Sequence, residues 1–164
     1  MAIRILVVED YEPFRKLVCS IIEDRAEFEI IAQAADGLEA IQKAEELQPD
    51  LILLDIGLPR LNGIAAARQI GKLSPKSKIL FLSQDTDAEI VKAALETGGN
   101  GYVVKWDAGD QLFEAIETIV RGGQFVSRKF EKISAAQGER KKQKPQKVAR
   151  SKSYLKMTSE RVAG

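Results

Sequence analysis

The chain has 164 residues, 45% of them hydrophobic, enough to bury the core of one ordinary domain with an appendage. Its 25 basic and 24 acidic residues nearly cancel, but residues 1–126 hold thirteen basic and twenty-one acidic groups (net −8) while residues 127–164 hold twelve and three (net +9); an acidic domain carries a basic tail. The absence of histidine excludes His-based triads, His metal sites and phosphohistidine chemistry within the chain, and a single cysteine, Cys19, excludes an internal disulfide.

The apolar run Ile3–Val8 near the amino terminus is too short for a signal peptide and ends in two acids. No run reaches the length needed to cross a bilayer. Together with the lone thiol, these features lead us to expect a cytoplasmic protein with no membrane partner.

Residues 3–8 are rich in β-branched side chains and read as a strand. Glu12-Pro13 then opens a helix, with Phe14, Leu17, Val18, Ile21 and Ile22 at helical spacing. A second strand is expected over Phe28–Ala34, and Asp36 with Glu39 forms a capping box for a helix through Ala40, Ile41, Ala44 and Leu47. Leu51–Leu54 is continuously aliphatic, as a strand buried on both faces should be, and it delivers Asp55 at its carboxyl end. A helix through Ile64, Ala67, Ile70 and Leu73 follows.

Lys78–Ser83 is a fourth strand, ending in a hydroxyl, and Thr86-Asp87-Ala88-Glu89 reads as the capping box of a helix that closes at Gly98-Gly99. Gly101–Lys105 is a short fifth strand ending in a lysine. Asp107 with Asp110 is expected to cap the last helix, through Leu112, Phe113, Ile116, Ile119 and Val120, which stops at Gly122-Gly123.

Strict alternation of five strands and helices implies a parallel sheet covered on both faces, a three-layer doubly wound α/β domain over residues 1–126. Residues 127–164 lack apolar periodicity, and the run Arg140–Lys147 reads as a solvated, flexible tail. Weak helices over 128–133 and from Ser153 are the only elements the tail suggests.

Four of the five strands end in functional side chains: Glu9 and Asp10, Asp55, Ser83, Lys105. Asp55 taken singly could be a turn former or a helix cap. Lys105 does not suit an N-cap, however, and three acids at adjacent strand ends repel one another unless a cation sits among them. Oxygen-only ligands in small number suit Mg²⁺. A lysine and a hydroxyl beside such an ion complete a phosphate site, and with no Gly-rich phosphate loop in the chain the chemistry left is a carboxylate nucleophile, centred on Asp55, that accepts a phosphoryl group.

The combination of Val-Val-Glu9-Asp10, Leu-Leu-Asp55-Ile-Gly-Leu-Pro59, Phe-Leu-Ser83 and Gly-Tyr102-Val-Val-Lys105 resembles the receiver domain of bacterial two-component response regulators, over residues 1 to 126. The resemblance implies a flavodoxin-like five-stranded sheet of order 2-1-3-4-5. It implies that Asp55 is the phosphoacceptor, that Asp10, Asp55 and the backbone carbonyl of Gly57 ligate Mg²⁺ with help from Glu9 through water, and that Ser83 and Lys105 bind the phosphoryl oxygens. Tyr102 would be the aromatic whose rotamer follows Ser83. A sensor histidine kinase on another protein would be the donor, a downstream protein the reader, and the domain a switch rather than an enzyme, apart from self-phosphorylation or autophosphatase activity. A homodimer formed on phosphorylation is a further implied partner.

Gly122–Ser127 resembles the exit from receivers that precede a helix-turn-helix effector, although no effector follows here. The alternative function is a phosphorylation-controlled transcriptional regulator whose basic tail binds DNA. A Mg²⁺-dependent phosphatase is disfavoured because Gly57 stands where such an enzyme usually has its general acid. Where the family often has proline after the lysine this chain has Trp106, which is expected to pack against the last helix or, as the alternative, to stand near the site mouth as an anchor for a partner.

Overall fold

The computed structural model describes residues 1–127 and Phe130. Apart from Phe130, the tail helices considered over 128–133 and from Ser153 lie outside the described residues. In chain order the elements are β1 (Ile3–Val8), α1 (Glu12–Glu23), β2 (Phe28–Ala34), α2 (Gly37–Leu47), β3 (Leu51–Asp55), α3 (Gly63–Leu73), β4 (Lys78–Ser83), α4 (Ala88–Glu96), β5 (Gly101–Val104), α5 (Ala108–Val120) and β6 (Phe125–Val126). A single 3₁₀ turn, Lys105–Asp107, joins β5 to α5.

Every strand pair is parallel and the order is β2-β1-β3-β4-β5-β6. The expected order of five is present, extended by a sixth strand on the β5 edge. β6 has only two residues, too few for any periodicity to announce it.

Alternate side chains of each strand enter different cores. Leu6, Val8, Ile52, Leu54, Phe81 and Tyr102 pack under α2, α3 and α4, through residues such as Ala40, Ile64, Ala67 and Val91. Ile5, Val7, Leu51, Leu53, Leu80 and Val103 pack under α1 and α5, through Val18, Ile22, Leu112 and Ile116. All five residues of β3 are buried, the reason its sequence is continuously aliphatic.

The helix starts differ in detail from the sequence expectation. Asp36 accepts from the Glu39 amide at 2.9 Å, but Glu39 reaches back to the Ala35 amide at 3.1 Å, one residue beyond the reciprocal capping box. Asp87, not Thr86, caps α4, accepting from Glu89 N–H at 2.9 Å. Asp107 precedes α5 without a side-chain cap, because the 3₁₀ turn ahead of it leaves its backbone helical. Lys105 belongs to that turn rather than to β5.

Close backbone approach pins the loop after β3 from two sides. The Gly63 amide donates to Ile56 O at 2.8 Å, and a Cβ on Gly63 would lie 2.0 Å from the Asp55 carbonyl oxygen. On the other side a Cβ on Gly37 would lie 2.0 Å from the Leu61 carbonyl oxygen. Asn62 completes the turn by capping α3 through the Ala65 amide, 3.0 Å away. Gly63→Ala is therefore expected to lower stability by about 1–3 kcal/mol or more, the range for overpacking. Gly71→Ala, where an added Cβ meets nothing within 4 Å, is expected to raise it by about 0.5–1 kcal/mol through helix propensity. Urea denaturation midpoints of the two variants check the opposite signs.

Candidate functional site

Strand register brings the predicted residues to one level. Val8 pairs with Leu54, so Glu9 and Asp55, each next in chain, sit side by side at the ends of β1 and β3. Asp55 pairs with Leu82 and Ser83 with Val104, which sets Ser83 and Lys105 just beyond. From β5 to β3 is two strand spacings, about 10 Å. Lysine is the cationic side chain whose flexible stem spans that gap with its carboxylate partners leaning toward it.

The Lys105 ammonium lies 2.8 and 3.0 Å from the two Glu9 carboxylate oxygens and 3.2 Å from Asp55 Oδ2. Phe14 places its ring centroid 5.0 Å from the same ammonium. Glu9 and Asp55 are buried, 3% and 4% exposed, whereas Asp10 faces solvent. Carboxylate oxygens of Glu9, Asp10 and Asp55 all fall within 4.8 Å of one another.

One cation among three acids leaves the cluster short of positive charge. Burial, reinforced by a side-chain hydrogen bond to Asp55, pushes the Glu9 carboxyl up to about 7, against the opposing pull of Lys105. Burial acts to lower Lys105, but its hydrogen bond to Glu9 and the charges of Asp55 and Glu9 more than offset this and hold the ammonium above its ordinary value. An oxygen-only donor set of three clustered carboxylates fits a hard divalent cation such as Mg²⁺.

The cluster opens into a cleft of about 580 Å³ whose lining includes Glu9, Asp10, Asp55, Gly57, Ser83 and Lys105. The Gly57 amide donates to Asp55 Oδ1 at 3.2 Å and so orients that carboxylate. At the far wall the Ser83 hydroxyl donates to Asp85 Oδ2 at 3.3 Å, while the Asp85 amide donates to Ser83 Oγ at 3.2 Å. Tyr102 does not line the cleft. Its ring is fully buried behind β4, and its hydroxyl donates to the Asp85 carbonyl at 2.9 Å.

Two supporting roles, those of Arg15 and Phe14 at the site, carry no signal in the sequence. Arg15 donates through Nη1 to the Glu9 carbonyl at 2.8 Å, tying α1 to the end of β1. Phe14 packs against the core under α1 as its spacing predicts, and its ring also faces the Lys105 ammonium, a second role that no periodicity announces. Trp106, expected to pack on α5, is 61% exposed because the 3₁₀ turn carries it outward.

The family model described as "Response regulator receiver domain" matches residues 5–117. The chain belongs to the response-regulator receiver-domain family. The receiver is 36% identical over 124 residues to the transcriptional regulatory protein DegU of Brevibacillus brevis, covering 76% of this chain and 52% of that protein. It is 34% identical over 122 residues to the response regulator VraR of Staphylococcus aureus, covering 74% and 58%. The chain thus spans about half the length of the curated relatives it matches. Among solved structures, a LuxR-family two-component response regulator from Aurantimonas sp. SI85-9A1 superposes with a TM-score of 0.77 at 31% identity, over 84% of this chain and 98% of that one. The response regulator domain of Thermotoga maritima CheB gives 0.69 at 31%, over 74% and 98%. Among the described residues no helix is long and apolar enough to cross a membrane.

Because Glu9 titrates higher in the folded receiver than its ordinary value of 4.5, its contribution to stability is complete below that value and is lost as pH rises toward about 7. In chelator-treated buffer, raising the pH through this window is expected to shift the difference in melting temperature between Glu9→Gln and wild type toward the variant. A difference that does not change with pH would contradict the crowded, proton-retaining cluster.

Proposed function

We propose that Asp55 accepts a phosphoryl group and that the receiver thereby switches a surface read by a partner. The observation that carries this reading is the convergence of Glu9, Asp10, Asp55, Ser83 and Lys105 on one cleft at the ends of four strands. In the transfer, an Asp55 carboxylate oxygen attacks phosphorus as the bond from phosphorus to the donor's nitrogen breaks, and the departing imidazole keeps the electron pair. Membership of the receiver family supports a phosphohistidine on a sensor histidine kinase as the donor.

Glu9, Asp10, Asp55 and the Gly57 carbonyl would hold Mg²⁺, which neutralises charge on the phosphoryl oxygens. The chain's own residues do the remainder. Asp55 is oriented by the Gly57 amide. Lys105, already held at the nucleophile by two carboxylates, exchanges one of them for a phosphoryl oxygen. The Ser83 hydroxyl turns from Asp85 to a second oxygen. Burial of Glu9 and Asp55, with the Phe14 ring against the ammonium, keeps the local dielectric low and strengthens each contact.

The basic charge of residues 127–164 keeps a second output open, in which the receiver governs a tail that binds nucleic acid; DegU is named a transcriptional regulatory protein. A homodimer on phosphorylation is a third form of output. Cytoplasmic location accords with a kinase donor of this kind.

Incubation of the full chain with acetyl phosphate and Mg²⁺ is expected to add one hydroxylamine-labile phosphoryl group by mass spectrometry. Asp55→Asn or excess chelator should abolish the addition. Lys105→Ala should slow it by about 10²–10³, the usual loss on removing one charge-stabilising donor. A stable phosphoryl adduct on Asp55→Asn would overturn the assignment.

A further inference from the structure

We propose that β6 and Phe130 form a strap coupled to the acidic cleft through Tyr102, so that phosphorylation of Asp55 and docking of the strap reinforce each other. The inference rests on the phosphoacceptor reading above and extends it to the segment that leads into the basic tail.

Among the described residues the strap meets the domain through a short ladder, core packing and two anchors. Its ladder on β5 consists of Phe125 opposite Gly101 and Val126 opposite Tyr102, far too little for a strand to persist on its own. Phe125 and Val126 also pack against the two cores and the Phe125 amide donates to the Asn100 carbonyl at 3.2 Å, and two anchors lie beyond them. The buried Ser127 donates its amide to the Tyr102 carbonyl at 3.0 Å, accepts at its hydroxyl from the Val104 amide at 3.3 Å, and donates that hydroxyl to Gln111 Oε1 at 2.9 Å. Phe130, 4% exposed, donates its amide to the Ser127 carbonyl at 2.8 Å and sets its ring edge-on to Tyr102, with centroids 6.0 Å apart.

Tyr102 thus has the strap on one side and the cleft on the other. Phe81 and Phe130 flank its ring, and its hydroxyl holds the Asp85 carbonyl. Asp85 in turn holds Ser83 Oγ through its amide. That amide bond survives whichever acceptor the Ser83 hydroxyl proton faces, so a phosphoryl oxygen that draws the hydroxyl away from the Asp85 carboxylate leaves the turn intact. A seated strap keeps Tyr102 buried and the turn in place, which presents Ser83 to the cleft. A phosphoryl group that binds Ser83 favours the same arrangement from the other end. Coupling of this kind is reciprocal by thermodynamic necessity.

The strap is also where the basic segment joins the domain, since twelve of the chain's 25 basic residues lie at or beyond Arg128. Seating or releasing Phe130 therefore changes the point at which a segment of net charge +9 is tethered to a domain of opposite sign.

The test uses the full chain with Mg²⁺ and beryllium fluoride as the phosphoryl mimic. Binding is followed by fluorescence of Trp106, the chain's single tryptophan, and amide hydrogen exchange is read by NMR at Phe125, Ser127 and Phe130. We expect the mimic to slow exchange at these three amides in the wild type, and Phe130→Ala to weaken mimic binding about fivefold or more, the lower end of typical coupling. Phe130→Leu should fall between, and unchanged exchange at Leu53 and Leu54 reports that the variants remain folded. If the wild type binds the mimic but strap exchange is unchanged or faster, or Phe130→Ala binds equally well, the coupling is overturned while the phosphoacceptor reading stands. If the wild type does not bind the mimic, both fall.

Discussion

The structure turns on the ammonium of Lys105 between two buried carboxylates, Glu9 and Asp55. Adjacent parallel strands that end in acids bring like charges together where water is scarce, an arrangement that opposes folding unless something compensates. Lys105 compensates in part, and burial together with Asp55 still holds the Glu9 carboxyl above its ordinary range. The cluster in this sense leaves room for positive charge that the chain does not carry, which the proposed Mg²⁺ would supply.

Everything near this contact serves to keep the strand ends level. Continuous burial on both faces fixes β3, and the backbone approaches at Gly63 and Gly37 leave the loop after Asp55 one course to follow. Arg15 fastens α1 to the end of β1. On the other side of the cleft, the turn after β4 is held through Asp85, whose amide, carbonyl and carboxylate each take part in a hydrogen bond with Ser83 or Tyr102. A hydroxyl with a choice of acceptors facing fixed acids suits the proposed switch, because a ligand can shift a conformational equilibrium only through contacts that differ between the two states.

Much of this was legible from residue order. Parallel strands buried on both faces carry an unmistakable aliphatic signal, as in Leu51–Leu54, and residues at their carboxyl ends must converge, so the meeting of Glu9, Asp10, Asp55, Ser83 and Lys105 at one cleft is legible in the order of the strands. Features set by tertiary context were not. Phe125–Val126 is too short to show a period, and its strand exists because β5 offers an open edge and Ser127 and Phe130 hold it there. Phe14 sits on the same helical stripe whether its ring meets the sheet or an ammonium. Trp106 is aromatic and lies beside a core helix in sequence, yet a single 3₁₀ turn exposes it.

The central claim is that the acidic cluster is charge-deficient and is completed by a divalent cation. Calorimetric titration of Mg²⁺ into the chelator-treated protein near pH 7, repeated in buffers of different ionisation enthalpy, tests it most directly. The account requires one Mg²⁺ per chain, bound with release of a fraction of a proton as Glu9 ionises, and loss of that proton release in Glu9→Gln. Mg²⁺ binding with no proton released, or no saturable binding at all, would contradict it.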